Sequence, residues 1–137
     1  MPKADRLSPG AVKLLQEKQI AQFATIMPDG SPQVTPVWVD VEPDGGHVLI
    51  NTADDRVKTR NVEGDPRVAV SVVDSQDFYR CPMVRGRIVE RRHEGAAEHI
   101  DKLAKKYLGQ DKYPWHQPGQ RRVILRIKPE RILERGT

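Results

Sequence analysis

The run Asn51-Thr52-Ala53-Asp54-Asp55-Arg56-Val57-Lys58-Thr59-Arg60-Asn61 has the composition of an anion site. Asn51 and Thr52 close an apolar stretch, and a short helix is expected to begin just after them. The first amides of a helix have no partner inside it, and the helix dipole favours negative charge at that end. Arg56, Lys58 and Arg60 add cationic donors, and Thr52 and Thr59 add hydroxyls. Phosphate binding is the chemistry these types and spacings suggest. Two features oppose it. Asp54 and Asp55 put negative charge at the same place, and cations near a helix start work against the dipole. The alternative is that the cations simply face water.

Other chemistries are less well supported. His47, His93, His99 and His116 lack metal-ligand spacing, and Glu94 and Glu98 flank no histidine pair, so no metal centre is expected. No nucleophile-elbow, Walker or dinucleotide glycine motif occurs. Cys81 is the single cysteine; it cannot form an internal disulfide, and no histidine or helix start sits beside it to activate it. Tyr79, Tyr113 and His116 are the candidate proton donors in expected loops. Tyr113, Trp115 and His116 lie in the proline-bounded run Tyr-Pro-Trp-His-Gln-Pro, a cluster that equally suits a plug at a subunit interface.

The elements that must position these residues follow from periodicity and punctuation. Ser8-Pro9 is a helix start, and Val12, Leu15 and Gln19 or Ile20 follow at helical spacing, predicting a helix over 9–18. An apolar strand at 20–27 ends in the turn Pro28-Asp29-Gly30, and 33–41 alternates as its hairpin partner. Pro36 places that partner at an edge or a bulge. After the turn at 43–46, a third strand at 47–52 is expected to complete a meander. Asp54-Asp55 would cap a helix over 56–63, with Gly64 and Pro66 as its stop. Strands are expected at 67–73 and 83–91, a helix at 94–108, where Ala96, Ile100, Leu103, Ala104 and Tyr107 form one face, a loop at 109–120, a strand at 122–127 and a further one at 131–133. About six strands with few helices predict a mainly β protein with a closed antiparallel barrel.

The chain of 137 residues is expected to form one domain over 1–137. With 37% hydrophobic and 31% charged residues its core is thin, which favours burial against a second copy. No apolar run reaches the roughly 18 residues of a membrane span, and Met1 to Arg6 lack a signal-peptide pattern. With the lone cysteine, this points to the cytoplasm. The net charge of +4 and pI near 9.4 suit an anionic partner or a merely solvated surface. A basic β-barrel that binds nucleic acid is the rival class, but an aromatic content of 5% provides few stacking platforms.

Several motifs share an order. Thr52-x-x-x-Arg56-x-Lys58-Thr59-Arg60-Asn61, followed by Gly64-Asp65-Pro66-Arg67-Val68-Ala69-Val70, resembles the signature of the pyridoxamine-phosphate-oxidase-like split-barrel superfamily. Residues 23–38, containing Pro28-Asp29-Gly30-Ser31-Pro32 and Pro36-Val37-Trp38, resemble its first hairpin. Met83 to Glu90 and Arg122 to Arg131 resemble later strands. The Lys-Thr-Arg-Asn run, the Pro-Val-Trp strand and the short length suggest the branch of deazaflavin-dependent reductases, which use coenzyme F420.

The resemblance implies a flavin-binding split barrel and a homodimer with cofactor between subunits. It implies that Arg56, Lys58, Thr59, Arg60 and Asn61 hold the cofactor phosphate. Gln33, Thr35, Pro36, Val37 and Trp38 would lie along the ring, with Asn51 and Thr52 facing it. Arg121, Arg122 and Arg126 would line a groove for the acidic tail of F420. Arg80 and Cys81 fall where relatives carry an Arg-Gln pair, and Cys81 departs from that pattern. The implied activity is hydride transfer from F420 to a small conjugated organic substrate. An FMN-dependent enzyme of the same fold is the alternative, and a non-catalytic binder of a cofactor or of haem breakdown products is a third reading. Pyridoxal chemistry is not expected, because the C-terminal extension of true pyridoxamine-phosphate oxidases is missing.

Overall fold

A computed structural model describes all 137 residues. Helix α1 (Pro9–Gln16) starts where the sequence predicts it. Ser8 Oγ accepts the Ala11 amide at 3.2 Å, and Pro9 occupies the first turn, where its missing N–H is no loss. The helix ends two residues earlier than 18. Glu17 turns extended, which lets the buried Gln19 bond Asp74 at 3.2 Å and the Ser75 amide at 3.0 Å.

Strands β1 (Ala21–Ile26) and β2 (Pro32–Val37) form the expected hairpin, with Phe23 opposite Thr35 and a turn that holds Gly30 at φ 87°. β2 is an edge strand, so Pro36 interrupts no ladder. The remaining elements are β3 (Asp40–Val41), β4 (Val48–Ala53), α2 (Val57–Gly64), β5 (Arg67–Val72), β6 (Cys81–Arg92), α3 (Ala96–Leu108) and β7 (Arg122–Arg135). The antiparallel sheet runs β2-β1-β5-β6-β7-β4-β3.

The expected meander is not what forms. β4 pairs with β7 and β3, never with β2. The run 33–41 divides at Trp38 and Val39, because helix α3 intrudes there. The Trp38 ring stacks on Tyr107 at 5.0 Å, and Tyr107 Oη takes the Val39 amide at 3.1 Å. β2 and β3 therefore stand at opposite ends of the sheet order although only two residues separate them. That seam curls the sheet into a split barrel.

Residues 122–127 and 131–133 are not two strands but one, β7, paired along β6 with bulges at Arg85/Gly86 and Ile88/Glu90. Gly86 allows the close approach: a Cβ there would lie 2.0 Å from the Lys128 carbonyl. Asp54 and Asp55 do not cap α2. Its N-cap is Arg56, with no side-chain bond, and Asp54 pairs instead with His93 at 2.9 Å. Gly64 is the last helical residue rather than the residue beyond it.

The barrel interior is filled by Phe23, Ile50, Val70, Leu125 and Ile127, with Leu14 and Leu15 of α1 closing one end. Ile100, Leu103 and Tyr107 of α3 form a smaller cluster against Trp38 and Tyr113. No helix is long and apolar enough to cross a membrane.

Candidate functional site

The seam holds an open cavity of about 510 Å³. It lies where the end of β2, the end of β4, the start of α2, the start of β7 and the 109–121 loop converge. Thr35, Pro36, Val37, Trp38, Asn51, Thr52, Arg56 and Lys58 line it, joined by Ile20, Ile100, Tyr113, Trp115 and Arg122. Eight of the sequence-predicted site residues thus share one space.

The cavity has two chemical ends. One is aromatic and apolar. Tyr113 meets Trp38 edge-on at 5.9 Å and Trp115 edge-on at 5.6 Å. Trp38 is held from below by its stack on Tyr107, and Val37, Pro36 and Ile100 complete the wall. Such a surface matches a flat conjugated ring.

The other end is cationic. Arg56, Lys58 and Arg122 line it, and none forms an ion pair with any carboxylate. Burial, and then the charges of Arg56 and Arg122, hold the Lys58 ammonium below its usual range. Burial also lowers Arg122; nearby Tyr113 and Asp55 oppose that shift and Arg56 adds to it. Concentrating like charge in a partly dry space is costly unless an anion arrives. The amides of Val57, Lys58 and Thr59 have no backbone partner, so the first turn of α2 offers free donors beside these cations. Of the aspartates that complicate the sequence reading, Asp54 is bound to His93, while Asp55 is exposed and acts on Arg122 without forming an ion pair.

Arg122 is 8% exposed, and its Nε donates to Asn51 Oδ1 at 3.0 Å. The side chain lies 5.1 Å from the centre of the Tyr113 ring, and Tyr113 is also a hydrogen-bonding neighbour of the guanidinium. Pairing explains its place. Ala53 is opposite Arg122 and Asn51 is opposite Ile124, so strand alternation puts Asn51 and Arg122 on one face. Nothing local in the sequence separates Arg122 from Arg121 or Arg126; only this register does. Arg121 is exposed, while Arg126 is engaged by Glu42 at 3.0 and 3.2 Å.

Four expected site residues do not line the cavity. The Thr59 hydroxyl donates to the Ala53 carbonyl at 2.7 Å. Asn61 Nδ2 donates to Thr25 Oγ1 at 3.0 Å and to Gln33 Oε1 at 3.3 Å. Thr59, Asn61 and Gln33 thereby fasten α2 to the barrel. Thr59 and Val62, both buried at helical spacing, are the sequence signal for that inward face. Arg60 is exposed and makes no ion pair. Among the expected proton donors, Tyr113 lines the cavity and Tyr79 and His116 do not. Arg80 binds Asp74 at 2.7 Å, and Cys81 is partly buried; both lie outside the cavity.

Fold and site together define a split-barrel protein with a cavity at the seam. The family model of pyridoxamine 5'-phosphate oxidase matches residues 7–136, and the chain belongs to that family. Among solved structures it is similar to an F420 reductase, at 29% identity and a TM-score of 0.79, covering 93% of this chain and 98% of that one. HupZ of Group A Streptococcus aligns at 20% identity and a TM-score of 0.68, over 93% of both chains. General Stress Protein 26 of Bacillus anthracis aligns at 16% and 0.64, over 91% of this chain and 95% of that one. The last two show the shared fold alone.

Proposed function

We propose that this protein is an oxidoreductase that binds coenzyme F420 in the seam cavity and serves hydride transfer to a small conjugated organic substrate. One observation carries the reading. A cavity of about 510 Å³ joins an aromatic wall to three cations that no carboxylate of the chain neutralises. A ligand with a planar ring and an acidic chain satisfies both ends at once, and similarity to an F420 reductase supports that choice of ligand.

In this reading Arg56, Lys58 and Arg122, with Thr52 and the free amides of α2, hold the acidic part of the cofactor. Trp38, Pro36, Val37 and Trp115 flank the ring. When bound, the deazaflavin supplies the hydride. The protein's part is to orient it, to exclude water with the 113–115 aromatics, and to hold a proton at Tyr113 Oη within reach of the cavity. Arg121, exposed and next in sequence to Arg122, would extend the positive surface toward an acidic tail.

We further propose a homodimer. The outer surface formed by Ala24, Val34, Ala69 and Met83 is mostly apolar, and Val34 is 59% exposed there; burial against a second copy suits it.

The test is to titrate the purified protein separately with F420 and with FMN, then to follow oxidation of reduced F420 by a quinone-type acceptor. F420 binding with acceptor-dependent oxidation is expected. Binding of FMN alone assigns the cavity to an FMN-dependent enzyme instead. The variant Y113F is expected to bind F420 as the native protein does and to turn over up to ~100-fold more slowly; unchanged turnover removes Tyr113 as the proton donor.

A further inference from the structure

Behind Arg122 lies a hydrogen-bonded chain whose every polarity is fixed. A guanidinium only donates, so the Asn51 atom that meets Arg122 Nε at 3.0 Å is the amide oxygen. The Asn51 NH2 group therefore faces the other way. It donates to the Ala96 carbonyl at 2.9 Å and meets His99 Nδ1 at 3.1 Å. An amide nitrogen cannot accept, so His99 Nδ1 must be bare. The ring proton is then on Nε2, which donates to Asp40 Oδ2 at 2.9 Å. Asp40 is held as the carboxylate. Its burial opposes ionisation, but the bonds it accepts from His99 and the Val41 amide, with the charge of Lys102, outweigh it.

The chain crosses four elements, from β7 to β4 to α3 to β3. Its side chains are shielded: His99 is 10% exposed and Asp40 16%, and Asn51 and Arg122 are buried. Neither His99 nor Asp40 lines the seam cavity; Asn51, which does, is their hydrogen-bonded link to Arg122.

We propose that His99, fixed in its Nε2–H tautomer by Asp40, is a positioning residue that sets the orientation of the Asn51 amide and thereby aims the guanidinium of Arg122 into the cavity. Turning the Asn51 amide over brings its NH2 against the Arg122 N–H and its oxygen against a bare ring nitrogen; both contacts are repulsive. The network therefore admits one arrangement, with the Arg122 guanidinium presented to the cavity beside Tyr113. This goes beyond naming Arg122 as a ligand residue, and it rests on reading the cavity as an anion site.

The test has one arm without ligand and one with it. In the free protein, nitrogen NMR of His99 is expected to show a bare Nδ1 and a protonated Nε2. The Arg122 Nε–H signal is expected to be protected from solvent exchange in the native protein and in H99N, whose side-chain oxygen can replace Nδ1 as acceptor. It is expected to lose that protection in H99L. With F420 as the probe, H99L should bind about tenfold more weakly, H99N should recover most of the loss, and H99L should cost nothing further in an R122Q background.

A proton on Nδ1, or an Arg122 signal equally protected in H99L, overturns the proposal. So does an H99L loss of the same size with and without Arg122. If the native protein binds no F420, the cofactor reading fails, and the free-protein arm still decides this one.

Discussion

Arg122, Lys58 and Arg56 have no carboxylate partner and share a cavity with an aromatic wall; Lys3, Arg85 and Arg131 are also unpaired around a second cavity, but no aromatic residue lines that one. An anion that binds there offsets the burial, and the repulsion from Arg56 and Arg122, that lower Lys58, so its hold on a proton tightens. Binding of F420 at alkaline pH is therefore expected to take up protons, and K58M to abolish that uptake; calorimetry in buffers of different ionisation enthalpy measures it. Lys106 offers a separate test. Its ammonium bonds the Leu15 and Val39 carbonyls, both at 2.7 Å, yet burial pulls it down to about 8 against the pull of Asp40, with Lys102 adding to the fall. Between about 8 and the ordinary value of 10.5 the unfolded chain binds more protons than the folded one. Stability should therefore rise with pH through that window. Thermal unfolding of the native protein should show the rise and K106M should lack it.

At the scale of elements, the site depends on two junctions: the split between β2 and β3, and the bulged pairing of β6 with β7. G86A tests the second. With the added methyl 2.0 Å from a backbone carbonyl, the strands must separate, and a loss of several kcal/mol is expected, of order 3. A melting temperature within about 2 °C of native would contradict the close approach.

The sequence made some of this architecture legible. The N-cap at Ser8, the Pro28-Asp29-Gly30 turn and the apolar face of α3 are local signals, and local signals survive folding. The meander could not be corrected from sequence, because the break at Trp38 is made by Tyr107, 69 positions later. The merging of 122–127 with 131–133 was equally hidden, since Pro129 reads as a strand end until Gly86 is placed opposite it. The same logic divides the site. Arg56 and Lys58 stood out by composition, whereas Arg122 needed strand register, and Thr59 and Asn61 looked like ligand donors until their internal partners were known.

For the molecule as a whole, a thin barrel core and an apolar outer surface around Val34 support pairing with a second copy. Sedimentation of the native protein at micromolar concentration should give a dimer, and V34E a monomer or a much weaker dimer; a monomeric native protein would remove the interface from the account. The central claim, however, concerns the cavity: its unpaired cations are there to receive the acidic part of a flat, conjugated cofactor. Titrating F420 into the native protein and into R122Q and K58M, with thermal unfolding as a control for folding, tests it most directly. The account predicts saturable binding to the native protein and a loss of about 10- to 100-fold in each variant at unchanged stability. Binding of equal strength in all three proteins would contradict it.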